Sequence, residues 1–364
     1  MASDVTSRDG MNYAPAPRIA KKVVGPGEFN FAATHFDHGH VFGQIVGLTS
    51  AGGTLKYAYD PDPKKLGNIQ EMYPDVKIVS RYEDILEDDS IHLVTSAAIP
   101  NERCDVGLMA MDAGKDYFTD KGPFTTLEQL EQARAKATET GRRYMVYYGE
   151  RISNEATWYA GELIAQGIIG DILQVMILAP HNLNAPSRPE WFFEKEKYGG
   201  IISDLGSHQV EQFLSYTGAT DGKVNFARVE NFRNPDTPEL EDFGEASFTS
   251  NTGASCYFRV DWFNPGGLRS WGDGRSFVLG TKGTIEIRKY IDVARETSGN
   301  RIFLVDGDSE QEIECEDKIG FPFFGQLIID VLNRTENAMT QAHAFKAAEL
   351  TLQAQLFADK ARMP

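Results

Sequence analysis

The chain has little of what secreted, membrane-spanning or disulfide-stabilised proteins need. Only three cysteines occur among 364 residues, Cys104, Cys256 and Cys315, and their wide spacing makes a disulfide framework or a zinc ribbon unexpected. The first forty residues hold no apolar run typical of a signal peptide, and no later run reaches the roughly 18 apolar residues of a membrane span. We therefore expect a reduced, cytoplasmic protein.

Positive charge is also scarce. The sequence has 36 Lys and Arg against 53 Asp and Glu, a net charge of −17. Nucleic acids and anionic membranes are bound through clustered positive charge, so we expect neither as a main partner, although a local pocket can still hold a small anion. The length predicts two domains, and 41% hydrophobic residues are enough for a sizeable core.

The first half of the chain alternates short apolar runs with helical segments such as 127–140. Strands are expected at 29–33, 55–59, 77–79, 92–96, 117–119 and 144–148. Strands joined by crossover helices predict an α/β fold with a Rossmann-type, doubly wound parallel sheet. Residues 1–27, rich in Pro and Gly, are expected to form a flexible arm, and residues 28–149 the first domain.

The second half has strand patterns without helices between them. Strands are expected at 173–178, 224–232, 243–250, 254–262, 277–279, 284–287 and 302–305. Helices are expected at 154–166, after Gly199-Gly200, and at 338–361. Neighbouring strands without crossovers predict an α+β domain, residues 150–335, with an open, mostly antiparallel sheet. Residues 336–364 are expected to be a helix that packs back on the first domain.

The turn after the first strand is rich in histidine where a dinucleotide-binding fold has its glycine-rich turn. It runs from Thr34 to Gly43, and the G-x-G-x-x-G pattern is absent. Asp60 ends the second strand, where a carboxylate accepts hydrogen bonds from the adenosine ribose and repels a 2′-phosphate, which favours NAD over NADP. The alternative is a solvated aspartate in an Asp-Pro-Asp-Pro turn.

The same histidines raise the question of a metal. His35, His38 and His40 stand close to Asp37, but no further ligand cluster accompanies them, and no metal is expected. His38 or His40 is instead expected to face the cofactor or the substrate at the carboxyl end of the sheet, where such folds bind ligands. A plain surface role stays open for His35.

Two further groups have the chemistry of proton transfer. A strand delivers Lys121 to its carboxyl end, where a lysine helps move a hydroxyl proton or polarises a carbonyl. Asp204 and His208 stand four residues apart, on one face of a helix, and a histidine oriented by a carboxylate suits acid–base catalysis. The alternatives are a surface lysine in a turn and a buried His–Asp pair that only holds the helix.

Together these motifs resemble the glucose–fructose oxidoreductase / inositol dehydrogenase / rhizopine catabolism family, Gfo/Idh/MocA, over residues 28–360. The resemblance is carried by Asp60, Ala113-Gly114-Lys115 before Asp120-Lys121, the stretch 166–171, Gly199-Gly200 through Asp204 to His208, and Leu279-Gly280-Thr281-Lys282-Gly283. Two departures stand out. The family's Glu-Lys-Pro triplet reads Asp120-Lys121-Gly122-Pro123, with one residue inserted, and the glycine-rich turn is replaced.

The resemblance implies a nicotinamide dinucleotide in the first domain, a sugar or polyol substrate, and a second domain whose sheet forms a homodimer or homotetramer. It implies catalytic roles for Lys121, Asp204 and His208. The expected cofactor contacts are Thr34, His38, Gly39, His40, Asp60, Pro100, Asn101, Asp120 and Lys121. The expected substrate contacts are Arg151, His181, Asn182, Trp191, Asp204 and His208.

The leading hypothesis is an NAD-dependent oxidoreductase acting on a secondary hydroxyl or ketone of a sugar, an inositol-like polyol or a glycoside. One alternative is an enzyme that oxidises a glycoside transiently, cleaves it by elimination and reduces the product. Another is a non-catalytic sensor of dinucleotide or sugar with the same fold.

Overall fold

The computed structural model describes residues 20–295 and 299–362. The chain forms two compact units. The N-terminal unit contains residues up to Tyr147 together with Gly320–Phe345, and the C-terminal unit contains Tyr148–Ile319 and the end of the last helix from Lys346. Most of the predicted arm, residues 1–19, lies outside the described residues. No helix among the described residues is both long and apolar enough to cross a bilayer.

The N-terminal unit is built on one sheet of six parallel strands in the order β3-β2-β1-β4-β5-β6. The strands are β1 Asn30–Thr34, β2 Thr54–Tyr59, β3 Lys77–Ile78, β4 Leu93–Ser96, β5 Asp116–Asp120 and β6 Tyr144–Tyr147. This order is that of the dinucleotide-binding fold, and it confirms the predicted doubly wound parallel sheet. Strands β4, β5 and β6 are buried along their whole length because helices cover the sheet.

Crossover helices connect these strands. They are α1 His40–Ser50, α2 Ile69–Met72, α3 Glu83–Leu86, α4 Arg103–Asp112 and α5 Leu127–Thr140, with a 3₁₀ helix at Pro63–Leu66. The Thr126 hydroxyl caps α5 by accepting from the Gln129 N–H at 3.2 Å, and Gly141 ends it with a φ of +64°. In α4, a Cβ on Gly107 would lie 2.5 Å from the Tyr144 ring, so only glycine allows this helix to approach the sheet so closely.

The C-terminal unit has a second sheet, of eight strands in the order β14-β13-β12-β11-β7-β10-β9-β8. Only the β7–β10 pair is parallel in this sheet, which confirms the mostly antiparallel sheet expected from the sequence. The strands are β7 Ile172–Pro180, β8 Gly222–Glu230, β9 Phe243–Ser250, β10 Ser255–Asp261, β11 Arg275–Gly280, β12 Thr284–Arg288, β13 Arg301–Val305 and β14 Glu310–Glu314. Strand β14, an exposed edge strand with three glutamates, was not predicted from the sequence.

The helices of this unit are short. They are α6 Gly149–Ile152, α7 Glu155–Ala165, α8 Lys195–Tyr198 and α9 Ser207–Thr217, with 3₁₀ turns at Ala185–Ser187 and Glu190–Phe193. The segment after Gly199-Gly200 differs from a regular helix because residues Ile202–Gly206 form a π-helical turn that runs directly into α9. Such π-helical turns are rare overall, and those that occur are often located at functional sites. Asp204 lies in this turn.

Two helices follow the second sheet, α10 Pro322–Asn333 and α11 Gln341–Arg362. Residues 320–335 were expected in the second domain, whereas α10 belongs to the N-terminal unit. The reason is apolar packing, since the Phe323 and Phe324 rings lie 5.9 and 6.4 Å from the Phe118 ring of β5. Helix α11 divides as well, because its residues from Lys346 onward group with the C-terminal unit, where Lys346 pairs with Asp221 at 3.1 Å.

Candidate functional site

A buried carboxylate organises the carboxyl edge of the N-terminal sheet. Asp120, the last residue of β5, accepts hydrogen bonds from the Lys121 N–H at 2.7 Å, His40 Nδ1 at 2.8 Å, His38 Nδ1 at 3.0 Å and Arg103 at 3.2 Å. These four donors occupy the lone-pair positions of a carboxylate. Burial opposes ionisation, but His40, Arg103 and His38 outweigh it and hold the pKa of Asp120 well below its ordinary value.

The carboxylate also orients both histidine rings. His38 and His40 each turn Nδ1 towards Asp120, at 3.0 and 2.8 Å. The His40 N–H also approaches His38 Nδ1, at the longer distance of 3.4 Å. Burial lowers the pKa of His38 to about 3, so this ring is neutral at pH 7. A neutral ring suits a hydroxyl or an amide N–H better than a phosphate.

These residues also form a group with the composition of a metal site. The ligand atoms of His38, His40 and Asp120 lie within 4.8 Å of one another. A divalent cation there would have to displace the hydrogen bonds to Asp120 and lie beside the buried guanidinium of Arg103. The donor set therefore favours a hydrogen-bonded cluster, and the absence of a metal stays a prediction.

Arg103, at the start of α4, shapes the loop that carries Lys121. Its guanidinium donates to the carbonyls of Ala98 at 2.7 Å and Gly122 at 3.2 Å, and also to the Lys121 carbonyl. Gly122 has a φ of +66°, a conformation that glycine adopts without strain. The residue inserted before Pro123 thus turns the chain in a left-handed bend, and Arg103 holds that bend. The Lys121 side chain is 1% exposed.

Asp60 is not a solvated turn residue. It is buried, and its carboxylate accepts from the Phe36 N–H at 2.6 Å and the Asp62 N–H at 2.7 Å. It therefore joins the turn after β1 to the end of β2. Burial is the main reason why the pKa of Asp60 is raised.

The other residues expected to contact a cofactor lie on the same edge of the N-terminal unit. Thr34 ends β1, and its hydroxyl lies 2.8 Å from His35 Nδ1; Gly39 precedes α1, and Pro100 and Asn101 follow β4. The side-chain oxygen of Asn101 is buried and has no hydrogen-bond partner among the described residues. An unused buried acceptor at this edge fits a ligand with an amide or hydroxyl donor, as a nicotinamide dinucleotide has.

A second buried charge cluster lies in the C-terminal unit, around Glu150 of α6. Its carboxylate pairs with Lys289 Nζ at 2.8 Å, accepts from Gln209 Nε2 at 3.1 Å and lies 3.8 Å from His181 Nε2. Burial opposes ionisation of Glu150, but Lys289, His208 and His181 together hold its pKa well below the ordinary value. A negative charge thus lies within electrostatic reach of His208.

The two residues expected to transfer protons in this unit are both buried. Asp204 lies in the π turn, where its carbonyl accepts from the Ser207 hydroxyl at 3.0 Å, and His208 lies in the first turn of α9. The His208 ring meets the Tyr148 ring edge-on at 6.5 Å. The structure therefore places His208 between an aromatic ring and the acidic environment of Glu150.

The expected substrate contacts differ in their surroundings. Arg151 forms a two-pronged ion pair with the buried Glu211, with Nε 2.8 and 2.9 Å from the two carboxylate oxygens. His181 packs against the rings of Trp271 at 4.8 Å and Trp262 at 5.7 Å. The indole N–H of Trp262 is buried without a hydrogen-bond partner among the described residues.

The last two expected substrate contacts, Asn182 and Trp191, are fixed by contacts with other residues of the C-terminal unit. The Asn182 N–H donates to the Trp271 carbonyl at 2.8 Å, and the Asn182 side-chain oxygen accepts from the Asn184 N–H at 2.9 Å. Trp191 is buried against Phe192, with ring centroids 5.9 Å apart. These contacts build a polar and aromatic surface from His181 to Phe192.

Comparison with family models covers most of the chain. Residues 23–148 match the model described as oxidoreductase family, NAD-binding Rossmann fold, and residues 158–286 match the GFO/IDH/MocA C-terminal domain. The chain belongs to the GFO/IDH/MocA family. Its N-terminal unit is thus an NAD-binding Rossmann fold of an oxidoreductase family, as the sequence motifs had indicated.

The chain is also similar to solved structures of other proteins. A protein described as an oxidoreductase from Erwinia carotovora atroseptica is 42% identical, with 91% of this chain and 99% of that chain covered at a TM-score of 0.88. Levoglucosan dehydrogenase in complex with NADH and L-sorbose shares the fold at 16% identity, with 92% and 97% covered and a TM-score of 0.76.

Among curated proteins, the NADP⁺-dependent scyllo-inositol 2-dehydrogenase IolW of Bacillus subtilis is 28% identical over 151 residues, 41% of each chain. The chain spans about half the length of the first curated relatives that it matches.

Three charged residues of these clusters, Arg103, Glu150 and Lys289, were not predicted from the sequence. Each is charged and buried, and each acts on a partner distant in sequence, 139 residues away for Lys289 and Glu150. A buried ion pair between distant residues leaves no local pattern in the sequence. The available signal was position, because Glu150 follows strand β6 and Arg103 follows strand β4.

Proposed function

We propose that this chain is an NAD-dependent oxidoreductase that transfers a hydride between nicotinamide and a secondary hydroxyl or ketone of a sugar, a polyol or a glycoside. The observation that carries the proposal is the buried Lys121, whose backbone Asp120 and Arg103 hold at the carboxyl edge of an NAD-binding Rossmann sheet. Ligands of open parallel sheets bind at this edge, where a fixed cation stabilises negative charge on a reacting oxygen.

Bound NAD would supply the acceptor for the hydride, so the protein has to supply position, field and proton transfer. Thr34, His38, Gly39, His40, Asp60, Pro100, Asn101, Asp120 and Lys121 are the proposed contacts to the dinucleotide. Asn101 is proposed to accept through its side-chain oxygen.

The proposed catalytic residues are Lys121, Asp204 and His208. Lys121 stabilises the negative charge that develops on the substrate oxygen, and His208 takes the hydroxyl proton during oxidation. Glu150 is a negative group within electrostatic reach of His208 and favours the protonated imidazole once the proton has moved, and Asp204 is proposed to orient and charge-balance these groups. Arg151, His181, Asn182 and Trp191 are the proposed substrate contacts, with Asp204 and His208.

Asp60 is proposed to favour NAD over NADP, because a buried carboxylate at the end of β2 repels a 2′-phosphate. One of the curated relatives is an NADP⁺ enzyme, so the preference of this chain for NAD over NADP has to be tested directly.

The C-terminal sheet is proposed to form a homodimer or homotetramer. One cross-strand row on it runs through Phe303, Glu286, Phe277, Met176, Tyr257, Ser247 and Phe226 in the strand register, so five of its seven residues are aromatic or Met. Phe226 and Phe277 are 43% and 38% exposed, and exposed apolar side chains that share one sheet face mark association surfaces. Sedimentation velocity tests this part. A cytoplasmic location is proposed from the three free cysteines.

The function is tested by following NADH absorbance while sugars, inositols and glycosides are screened with NAD. Lys121→Ala is expected to lower turnover by roughly 10²- to 10⁴-fold, the usual contribution of a positioned catalytic group, and to lower NADH affinity far less, because eight other proposed contacts to the dinucleotide remain. Lys64→Ala, which removes an exposed lysine of the same unit, is the matched control and is expected to leave turnover unchanged.

Turnover of Lys121→Ala at the wild-type rate would contradict the catalytic assignment. Glycoside cleavage without net NADH would instead show the elimination chemistry, and tight NADH binding without turnover of any compound would show a sensor.

A further inference from the structure

A lysine and an aspartate pair where β1 and β2 of the N-terminal unit end. Asp37 belongs to the turn between β1 and α1, and Lys65 belongs to the 3₁₀ helix that follows β2. Lys65 Nζ forms an ion pair with Asp37 Oδ1. The Asp37 side chain is 5% exposed and the Lys65 side chain is 42% exposed, so the cation reaches solvent while its partner is buried.

Asp60 lies beside this pair. The charges of Asp37 and Lys65 act on Asp60 in opposite directions, which places the three groups within electrostatic reach of one another. Both carboxylate oxygens of Asp60 already accept backbone N–H groups, from Phe36 and Asp62. The three charged side chains together carry one net negative charge.

Dinucleotide-binding sheets with this strand order hold the adenosine ribose at the ends of β1 and β2. A carboxylate there favours the free 2′-hydroxyl of NAD, and a cation there accommodates the 2′-phosphate of NADP. A phosphate monoester carries a charge of about −1.5 to −2 at neutral pH. This edge therefore contains both a carboxylate that favours NAD and a cation that could accommodate NADP. The cation, Lys65, is neutralised by Asp37.

We propose that Asp37 sets the dinucleotide preference by holding Lys65, so that the lysine does not receive a 2′-phosphate. The inference rests on the dinucleotide binding proposed above and assigns its selectivity to a residue of the β1–α1 turn. Removal of the Asp37 carboxylate eliminates one negative charge that repels the phosphate and also releases an accessible ammonium group to bind it.

The test measures the affinities of NADH and NADPH by nicotinamide fluorescence, without substrate. Asp37→Ser is expected to raise the NADPH-to-NADH affinity ratio roughly 10- to 100-fold, the factor that one hydrogen bond to a charged group contributes. Adding Lys65→Ala to that variant is expected to remove most of the gain. Lys65→Ala alone is expected to change the ratio little, because the lysine is already occupied in the wild type.

Two further variants serve as a substitute for Asp37→Ser and as a control. Asp37→Asn retains the shape of the side chain and removes its charge, so it replaces Asp37→Ser if the latter does not fold. Asp112→Ser removes a carboxylate from the 2.6 Å pair with Lys136, elsewhere in the same unit, and is expected to leave the ratio unchanged.

An unchanged ratio in Asp37→Ser would overturn the inference, as would a gain that persists without Lys65. A wild-type chain that binds NADPH more tightly than NADH would overturn it too. If the wild-type chain binds neither nucleotide, the proposed function fails first, and that outcome is distinct from a selectivity that does not respond to Asp37.

Discussion

The buried pair of Lys289 and Glu150 gives a sharp prediction for the C-terminal unit. Their charged atoms lie 2.8 Å apart, and the side chains are 0% and 4% exposed. Lys289→Met keeps the length of the side chain but leaves the carboxylate buried without its cation. Loss of one partner of a buried pair costs about 3–5 kcal/mol, which in a unit of this size corresponds to a Tm lower by roughly 6–20 °C.

The pH dependence of this loss tests its electrostatic origin. In the wild type, the pKa of Glu150 lies below its unfolded value of about 4.3, so its stabilising contribution is present above that pH and is lost as the pH falls further. In Lys289→Met, burial without the cation raises the pKa of Glu150 above the unfolded value. The variant is therefore destabilised most near neutral pH, and the difference from wild type shrinks as the pH approaches about 4.5.

Thermal melts at about pH 4.5 and about pH 7.5 measure both effects. Lys289→Met combined with Glu150→Gln is expected to recover much of the Tm, because no unpaired charge remains and the new side-chain amide can still bond Gln209. Lys136→Met removes a half-buried lysine from its ion pairs with the exposed carboxylates of Asp112 and Glu139 and is the matched control, with little change expected. An equal loss at both pH values would refute the reasoning and would indicate lost packing alone.

Two other predictions concern the N-terminal unit. Asp120→Asn leaves the guanidinium of Arg103 buried beside a neutral amide. This change is expected to lower the free energy of unfolding by roughly 3–5 kcal/mol and to weaken NADH binding. An unchanged thermal melt together with an unchanged NADH fluorescence titration would contradict the role of Asp120. Gly107→Ala would bring a methyl group within 2.5–2.7 Å of two buried tyrosine rings, and is expected to cost roughly 1–3 kcal/mol in urea unfolding. Gly161→Ala, with its nearest contact at 3.8 Å, is the helical control, and an equal effect of both changes would contradict the packing argument.

Much of the fold follows from local patterns in the sequence. Alternating strands and helices predicted the parallel sheet, and consecutive strand patterns predicted the antiparallel one, because each signal is contained within a few residues. Strand β14 was missed since its glutamates give no apolar alternation, and α10 was missed although its segment contains Phe323 and Phe324.

The site was predictable in its residue types but not in its connections. Asp60 was recognised from its place after β2, yet only the structure reveals that it holds two backbone N–H groups. The same is true of Asp120, whose four donors come from three places along the chain. Long-range pairs such as Lys289 with Glu150 depend on the fold as a whole, and one sequence contains no local signal for them.

The central claim is hydride transfer between a secondary alcohol and a nicotinamide held by the N-terminal unit. The most direct test uses the best compound from the substrate screen, carrying deuterium on its carbinol carbon, with NAD and the purified chain. The account predicts that the deuterium appears on the nicotinamide ring of the NADH formed, and that Lys121→Ala slows this transfer. Oxidation in which the deuterium is released to water, or an absence of NADH with every compound, would contradict it.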